Sequence, residues 1–348
     1  MSLEVQSRKR IEWIDIAKAV AIILVGVGHY SCPYPLQIWI YTFHMPLFFI
    51  LSGCTINIEK YTFGKFILRK AKAFLLPWVL AVCVNIAFQE FCLAIGISAN
   101  HSKISSIPFR LLFNMRPGEW DPIYWFLPCL FITEAVVYWI LKIFKSQKQI
   151  IGVVIALGVC AYFYQKFVNI LLPWEVDLLP VTCCFLLIGY LIKKYYMKMF
   201  ERVKRINQLF ACLICIISGS LLGVFNVHIT GAPIDIASGR YGIVPLMFVA
   251  AILLSIGIII LCTFVHSKLI NYIGQNSLIF YVAQPITYKI SDILLILGFN
   301  FVPFYTYTYN GNIFDLIILH LVNNILILIY VYLYKKIKMK LRVVRSKL

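Results

Sequence analysis

Residues 242–264, GIVPLMFVAAILLSIGIIILCTF, form an apolar run long enough to cross a lipid bilayer, and this run decides the class of fold. A transmembrane helix takes about 20 such residues, because each residue advances the helix by about 1.5 Å. The chain of 348 residues is 61% hydrophobic and 13% charged, with a mean hydropathy of +0.87. Too few polar residues remain to cover a water-facing surface of that size. We therefore predict an all-α, polytopic integral membrane helical bundle.

Comparable runs recur along the chain and predict about ten transmembrane helices. Their expected boundaries are 12–31, 36–57, 73–96, 123–143, 150–168, 178–195, 207–225, 242–264, 277–298 and 313–334. The ninth run is the least regular, since it contains Lys289 and Asp292. We find no repeat or low-complexity tract, so residues 1–348 are predicted to form a single transmembrane domain.

The net charge of +18 is distributed as membrane-flanking charge. With the N-terminus placed inside, 25 of the 32 Lys and Arg residues fall in cytoplasmic segments and five in outer segments. This is the positive-inside bias, and it predicts both termini in the cytoplasm of a multi-pass protein of the cell (plasma or inner) membrane, with no nucleic-acid partner. Arg8-Lys9-Arg10 precede the first run, but no small-residue cleavage site follows, so that run is predicted to be a span rather than a signal peptide.

Ionisable side chains inside these spans are candidates for function, because they are costly in lipid. Asp15, Lys18 and His29 lie in the first span, His44 in the second and Glu134 in the fourth. His29 follows Lys18 by about 16 Å along a helix, so it belongs to the outer half. The same reasoning places His44 and Glu134 at a similar depth, where imidazole and carboxylate could move a proton. The alternative is structural: Lys18 reaches to the interface, His320 bonds a neighbouring backbone carbonyl, and Glu134 only ties helices together.

The second span contains FHMPLFFILSG (43–53) and is followed by Lys65, Arg69, Lys70 and Lys72. This basic cluster suits phosphate groups, but charge alone favours anionic lipid heads. Aromatic residues beside carboxylates in the outer segments suit sugar binding or a membrane-interface belt. The eleven cysteines lie mostly inside apolar runs and are interpreted as packing residues, so no metal is expected.

The motifs together resemble the membrane acyltransferase 3 family, in particular its fucose 4-O-acetylase-like branch. The resemblance follows the chain in order through WIDIAKAVAIILVGVGH (13–29), FHMPLFFILSG (43–53), YWFLPCLFITE (124–134), CFLLIGYLIKK (184–194), GRYGIVPLMFVAAILLSIG (239–257) and YIGQNSLIFYVAQPI (272–286). It implies a ten-helix bundle that transfers acetyl from cytoplasmic acetyl-CoA to sugar hydroxyls. The family's histidine corresponds to His29 and its basic residue to Lys18. Gln284 departs from the histidine that relatives often carry.

From these residues and the resemblance we predict an acetyl-CoA-dependent O-acetyltransferase acting on a hydroxyl of a cell-surface glycan, such as capsule, O-antigen or exopolysaccharide, or of a lipid-linked precursor. His29 is the expected general base; direct transfer and an acetyl-His29 intermediate both remain open. The predicted catalytic residues are His29, His44, Glu134 and Asp15; the donor-binding residues are Lys18, Arg69, Lys70 and Lys72; the acceptor-binding residues are Trp125, Arg240 and Tyr241. The other expected partners are membrane lipids. The alternative function is a transporter or flippase with a proton relay.

Overall fold

The computed structural model describes residues 10–29, 32–96, 113, 122–299 and 313–345. The described residues form an all-α bundle, and their one extended pairing is an isolated bridge between Asp235 and Arg240. The helices are α1 (Glu12–His29), α2 (Tyr34–Thr55), α3 (Phe63–Ala94), α4 (Phe126–Ile143), α5 (Gln147–Val168), α6 (Pro173–Phe200), α7 (Arg205–Thr230), α8 (Val244–Cys262), α9 (Lys268–Gln275), α10 (Ser277–Phe299) and α11 (Ile313–Arg345).

Nine helices in the described part of the chain are long and apolar enough to cross a membrane: α2 to α8, α10 and α11. The predicted polytopic helical fold is therefore confirmed. The one predicted span outside these nine is the first, at residues 12–31. It corresponds to α1, an 18-residue helix whose apolar sequence is interrupted by Glu12, Asp15 and Lys18. Ile16, Ala17 and other residues of α1 are completely buried, so this helix lies inside the bundle rather than at its lipid-facing surface.

Helix ends follow from local chemistry. Ser146 and Gln149 form a capping box at the start of α5. The side chain of each residue accepts a hydrogen bond from the backbone N–H of the other. Gly231 ends α7 with a φ of 74°, a conformation that only glycine adopts at little cost. The basic segment after α2 is not a loop: it forms the first turns of α3, which passes through a π-helical segment, Ala71–Leu75, before entering the bundle.

α2 is the central helix and packs against α1, α6, α7 and α8. Its approach to α6 depends on two glycines, since a methyl group on Gly53 would overlap the Leu186 carbonyl and one on Gly189 would overlap the Ile50 carbonyl. α5 and α7 instead expose large apolar side chains along much of their length. Because such faces are stable only in lipid, these two helices lie at the periphery of the bundle.

Several contacts gather the basic ends of the helices at one end of the bundle, which we call the basic face. Glu12 at the start of α1 pairs with His266 at 3.2 Å, and Arg205 lies 4.6 Å from the Phe264 ring centroid. Lys335 of α11 lies 4.2 Å from the centroid of the Tyr272 ring in α9. The predicted orientation would make this the cytoplasmic side.

Candidate active site

A cavity of about 850 Å³ opens at the basic face between α1, α2, α3, α4 and the start of α10. Its mouth includes the exposed residues Arg10, Asn57 and Gln275. Its deep end is lined by the buried residues Val25 and Met45. From Arg10 to Val25 the cavity follows α1 for roughly 22 Å, so it reaches far into the bundle.

Charged side chains are concentrated in the half of the cavity near the mouth. Lys70 of α3 forms an ion pair with Glu134 of α4, whose carboxylate also accepts a 2.5 Å hydrogen bond from Ser52 of α2. Arg10 lies 3.7 Å from the buried Asp15. Among the residues that the structure describes, Lys18 forms no ion pair, although it lines the same cavity. The cavity thus holds three cations against two carboxylates and is suited to an anionic ligand.

The two predicted histidines lie together, beyond the deep end. Their ring centroids are 6.3 Å apart, and Tyr41 Oη lies 3.4 Å from His29 Nδ1. His44 is buried, and its Nδ1 lies 2.8 Å from the Ile40 carbonyl oxygen. Because a carbonyl only accepts, Nδ1 carries the proton and Nε2 of the neutral ring is left as an acceptor.

His29 is the last residue of α1, and its side chain is exposed. Neither histidine lines the cavity, but Val25 precedes His29 by one helical turn and Met45 is the neighbour of His44. The carboxylate of Asp235, in the segment between α7 and α8, is close enough to interact electrostatically with both imidazoles. The histidine pair therefore lies between the cavity and this segment.

The structure places Glu134 and Asp15 away from the histidines. Glu134 contacts Ser52, which lies about 12 Å beyond His44 along α2, so the predicted similar depth is wrong. The cause is that Tyr124 and Trp125, just before α4, are already buried, which shifts α4 toward the basic face. Asp15 lies in the half of the cavity near the mouth. Along α1 it precedes Lys18, whereas His29 follows Lys18.

The predicted donor-binding residues divide into two pairs. Lys18 and Lys70 line the cavity, whereas Arg69 and Lys72 are exposed and do not. Successive residues of a helix point about 100° apart, so one face of α3 cannot present all of its basic residues to one cavity. Arg69 instead lies 4.6 Å from the centroid of the Tyr61 ring.

The predicted acceptor-binding residues are also separated from the cavity. Arg240 pairs with Asp235 at 3.0 Å, and Ser238 donates a 2.5 Å hydrogen bond to the same carboxylate. Burial would raise the pKa of Asp235, but the hydrogen bonds from Ser238 and Arg240 prevail and hold this pKa below its ordinary value. Tyr241 is buried, and its carbonyl accepts a hydrogen bond from Asn226. Trp125 is buried beside Phe126, which does line the cavity.

A second group of buried polar side chains joins α10 to α1 and α11. Gln284 donates to the Ile22 carbonyl at 3.0 Å, so this side chain connects α10 to α1. His320 Nδ1 lies 2.5 Å from the Tyr288 hydroxyl, rather than on a backbone carbonyl. Thr287 donates to Asn323 at 2.6 Å. We call the five polar residues Gln284, Thr287, Tyr288, His320 and Asn323 the polar seam.

Sequence reasoning did not assign most of the residues that line the cavity to the site, among them Arg10, Ser52, Phe126 and Tyr281. Ser52 carried a signal, because it lies two turns after His44 on the same helix, although Ser-Gly in a membrane helix is equally typical of close helix packing. Gly53 does serve packing, whereas Ser52 binds Glu134. Phe126 and Tyr281 carried no signal, since aromatic residues are common throughout this chain.

The fold and the cavity define a polytopic membrane protein with a deep cavity that opens at the basic face, holds cations near its mouth and ends near a histidine pair. The family model described as an acyltransferase domain matches residues 11–333. The chain therefore belongs to the membrane acyltransferase 3 family and is a membrane acyltransferase. No curated protein matches the chain.

Proposed function

We propose that the protein is an O-acetyltransferase of the cell membrane, of the fucose 4-O-acetylase-like branch. The donor would be acetyl-CoA, and the acceptor a hydroxyl of a cell-surface glycan or its lipid-linked precursor. The observation that carries this proposal is the cavity, which has cations near its mouth and an apolar deep end next to the histidine pair.

The charge distribution of the cavity fits the two ends of acetyl-CoA. Arg10, Lys18 and Lys70 would neutralise the phosphates, because phosphate oxygens form strong charge-assisted hydrogen bonds with such groups. The uncharged pantetheine arm and the acetyl group would occupy the deeper, apolar part. Glu134 would hold Lys70 in place through the ion pair that it already makes. Arg69 and Lys72, outside the cavity, are suited to anionic lipid heads or to guiding the donor.

His29 would act as the general base at the other end of this path. It would take the proton from the acceptor hydroxyl while that oxygen attacks the acetyl carbonyl carbon. The carbon–sulfur bond then breaks, and the departing thiolate receives the proton, so that the products are an ester and free CoA. His44, whose Nε2 is an acceptor and whose ring centroid lies 6.3 Å from that of His29, would relay the proton. Because the side chain of His29 is exposed, an acceptor would approach it from the side of Asp235 and Arg240.

The test uses the purified full chain in lipid nanodiscs with labelled acetyl-CoA and surface glycan. We expect thiol release together with base-labile labelled ester on the glycan, and a loss of at least 100-fold in His29→Ala, since a positioned base contributes about 10²–10⁴-fold. His228→Ala is the matched control, because His228 is an exposed histidine at the same end of the bundle. Full activity in His29→Ala would contradict the catalytic role. Movement of a lipid-linked sugar without thioester turnover would favour the transporter.

A further inference from the structure

Three aromatic rings, each from a different helix, line the inner part of the cavity. Phe48 of α2, Phe126 of α4 and Tyr281 of α10 all line the cavity. The centroid of the Phe126 ring lies 5.5 Å from that of Phe48 and 5.8 Å from that of Tyr281. These are ordinary edge and tilted aromatic contacts, so the rings form one continuous surface. We call these three residues the aromatic end wall.

The aromatic end wall is held from behind. The centroid of Phe49, which is completely buried, lies 5.3 Å from that of Phe126, and the Trp125 ring lies 6.1 Å away. Tyr281 is supported by Tyr124, with ring centroids 6.2 Å apart. Because close-packed side chains yield little, the wall cannot retreat to admit a longer ligand without a cost.

The position of the wall relative to the histidines limits what the donor can carry. Val25 and Met45 line the same end of the cavity and connect it with His29 and His44. A thioester carbonyl must stop near these two residues to be within reach of an imidazole. Phe126 lies level with His44, because Glu134, about 12 Å further along α4, contacts Ser52, about 12 Å further along α2. Methylenes added beyond the carbonyl would then compete for space with the Phe126 ring.

We propose that the aromatic end wall restricts this enzyme to short acyl groups, and that Phe126 is the main determinant of acyl-chain length. The inference rests on the proposed function, because it concerns the acyl group of the same thioester donor. Removing the Phe126 ring would open space at the end of the cavity and admit a longer chain. Each methylene accommodated in an apolar pocket changes discrimination by about 10–200-fold, so the effect is measurable.

The experiment compares acetyl-, butyryl- and hexanoyl-CoA as donors for the full chain in nanodiscs, with kcat/KM from thiol release. For the wild type we expect kcat/KM to fall from acetyl to hexanoyl. Phe126→Ala should raise the hexanoyl-to-acetyl ratio at least tenfold, and the half-buried Phe48→Ala, which perturbs folding less, should raise it in the same direction. Phe185→Ala is the matched control: its ring is completely buried and packs on Phe248, but it neither lines the cavity nor belongs to the rings that support the aromatic end wall, so the ratio should not change.

The outcomes separate this inference from the proposed function. If the wild type turns over acetyl-CoA but the ratio is unchanged in both cavity-lining variants, the aromatic end wall does not set chain length. A wild type that uses hexanoyl-CoA as well as acetyl-CoA also contradicts it. Failure of the wild type to turn over any thioester would instead contradict the proposed function itself.

Discussion

At the scale of single residues, Gly26 is where α1 meets the polar seam. A methyl group on Gly26 would lie 2.6 Å from the Tyr288 hydroxyl oxygen and 2.9 Å from the Gln284 amide nitrogen. Gly26→Ala should therefore displace both side chains and weaken the bonds to His320 and Ile22. We expect a loss of about 1–3 kcal/mol in stability, measured as a lower thermal unfolding temperature in detergent.

Gly152→Ala is the matched control for this substitution. Gly152 lies in α5, and a methyl group there would meet nothing within 4 Å. Its stability should be equal to that of the wild type or slightly higher, because alanine is the better helix former by about 0.5–1 kcal/mol. Equal unfolding temperatures for the two variants would show that α1 and α10 do not depend on this close contact.

The residues of the candidate site were partly predictable from sequence. His29 and His44 could be paired because one ends a helix and the other lies in the next helix, and a short connection forces the two to run antiparallel. Glu134 could not be placed in the same way. Its depth depends on where α4 begins relative to α2, and that is set by the burial of Tyr124 and Trp125 through tertiary packing.

At the scale of helices, the crossing of α2 and α6 depends on the absence of two side chains. Gly53→Ala should force these helices apart, because the added methyl group would overlap backbone that cannot rotate away. We expect a marked loss of monodisperse protein on size-exclusion chromatography. Gly64→Ala, in α3 with nothing within 4 Å, should elute as the wild type does. A monodisperse Gly53→Ala protein would mean that the two helices can separate without loss of the fold.

The long apolar helices could be predicted, but irregular elements could not. The sequence predicted a span over 73–96, whereas α3 begins at Phe63, because its amphipathic first turns bury Phe66 against Tyr138 of α4, with ring centroids 4.9 Å apart. The short helix α9 has only eight residues, too few for hydropathy to predict it. Its position depends on Gly274, which packs directly on the Asp15 backbone. Hydropathy identifies long segments that can enter lipid. It does not identify short or amphipathic elements whose positions depend on contacts with other helices.

At the scale of the whole molecule, the charge bias predicts that the basic face is cytoplasmic. Two exposed residues flank the long helix α7. Glu201 lies shortly before its first residue, and Thr230 is its last residue. A membrane-impermeant maleimide should label Thr230→Cys in intact cells and Glu201→Cys only after permeabilisation, each measured above the wild-type background. The reverse pattern would invert the orientation and place the cavity mouth outside.

The ion pair between Lys70 and Glu134 has a consequence for the insertion of the protein into the membrane during synthesis. A lone carboxylate in the middle of α4 opposes entry into lipid by several kcal/mol. α3 leaves the ribosome before α4, so Lys70 is already at the bilayer when Glu134 arrives. The two helices would thus be inserted as a unit, with the earlier one acting as an intramolecular chaperone for the later.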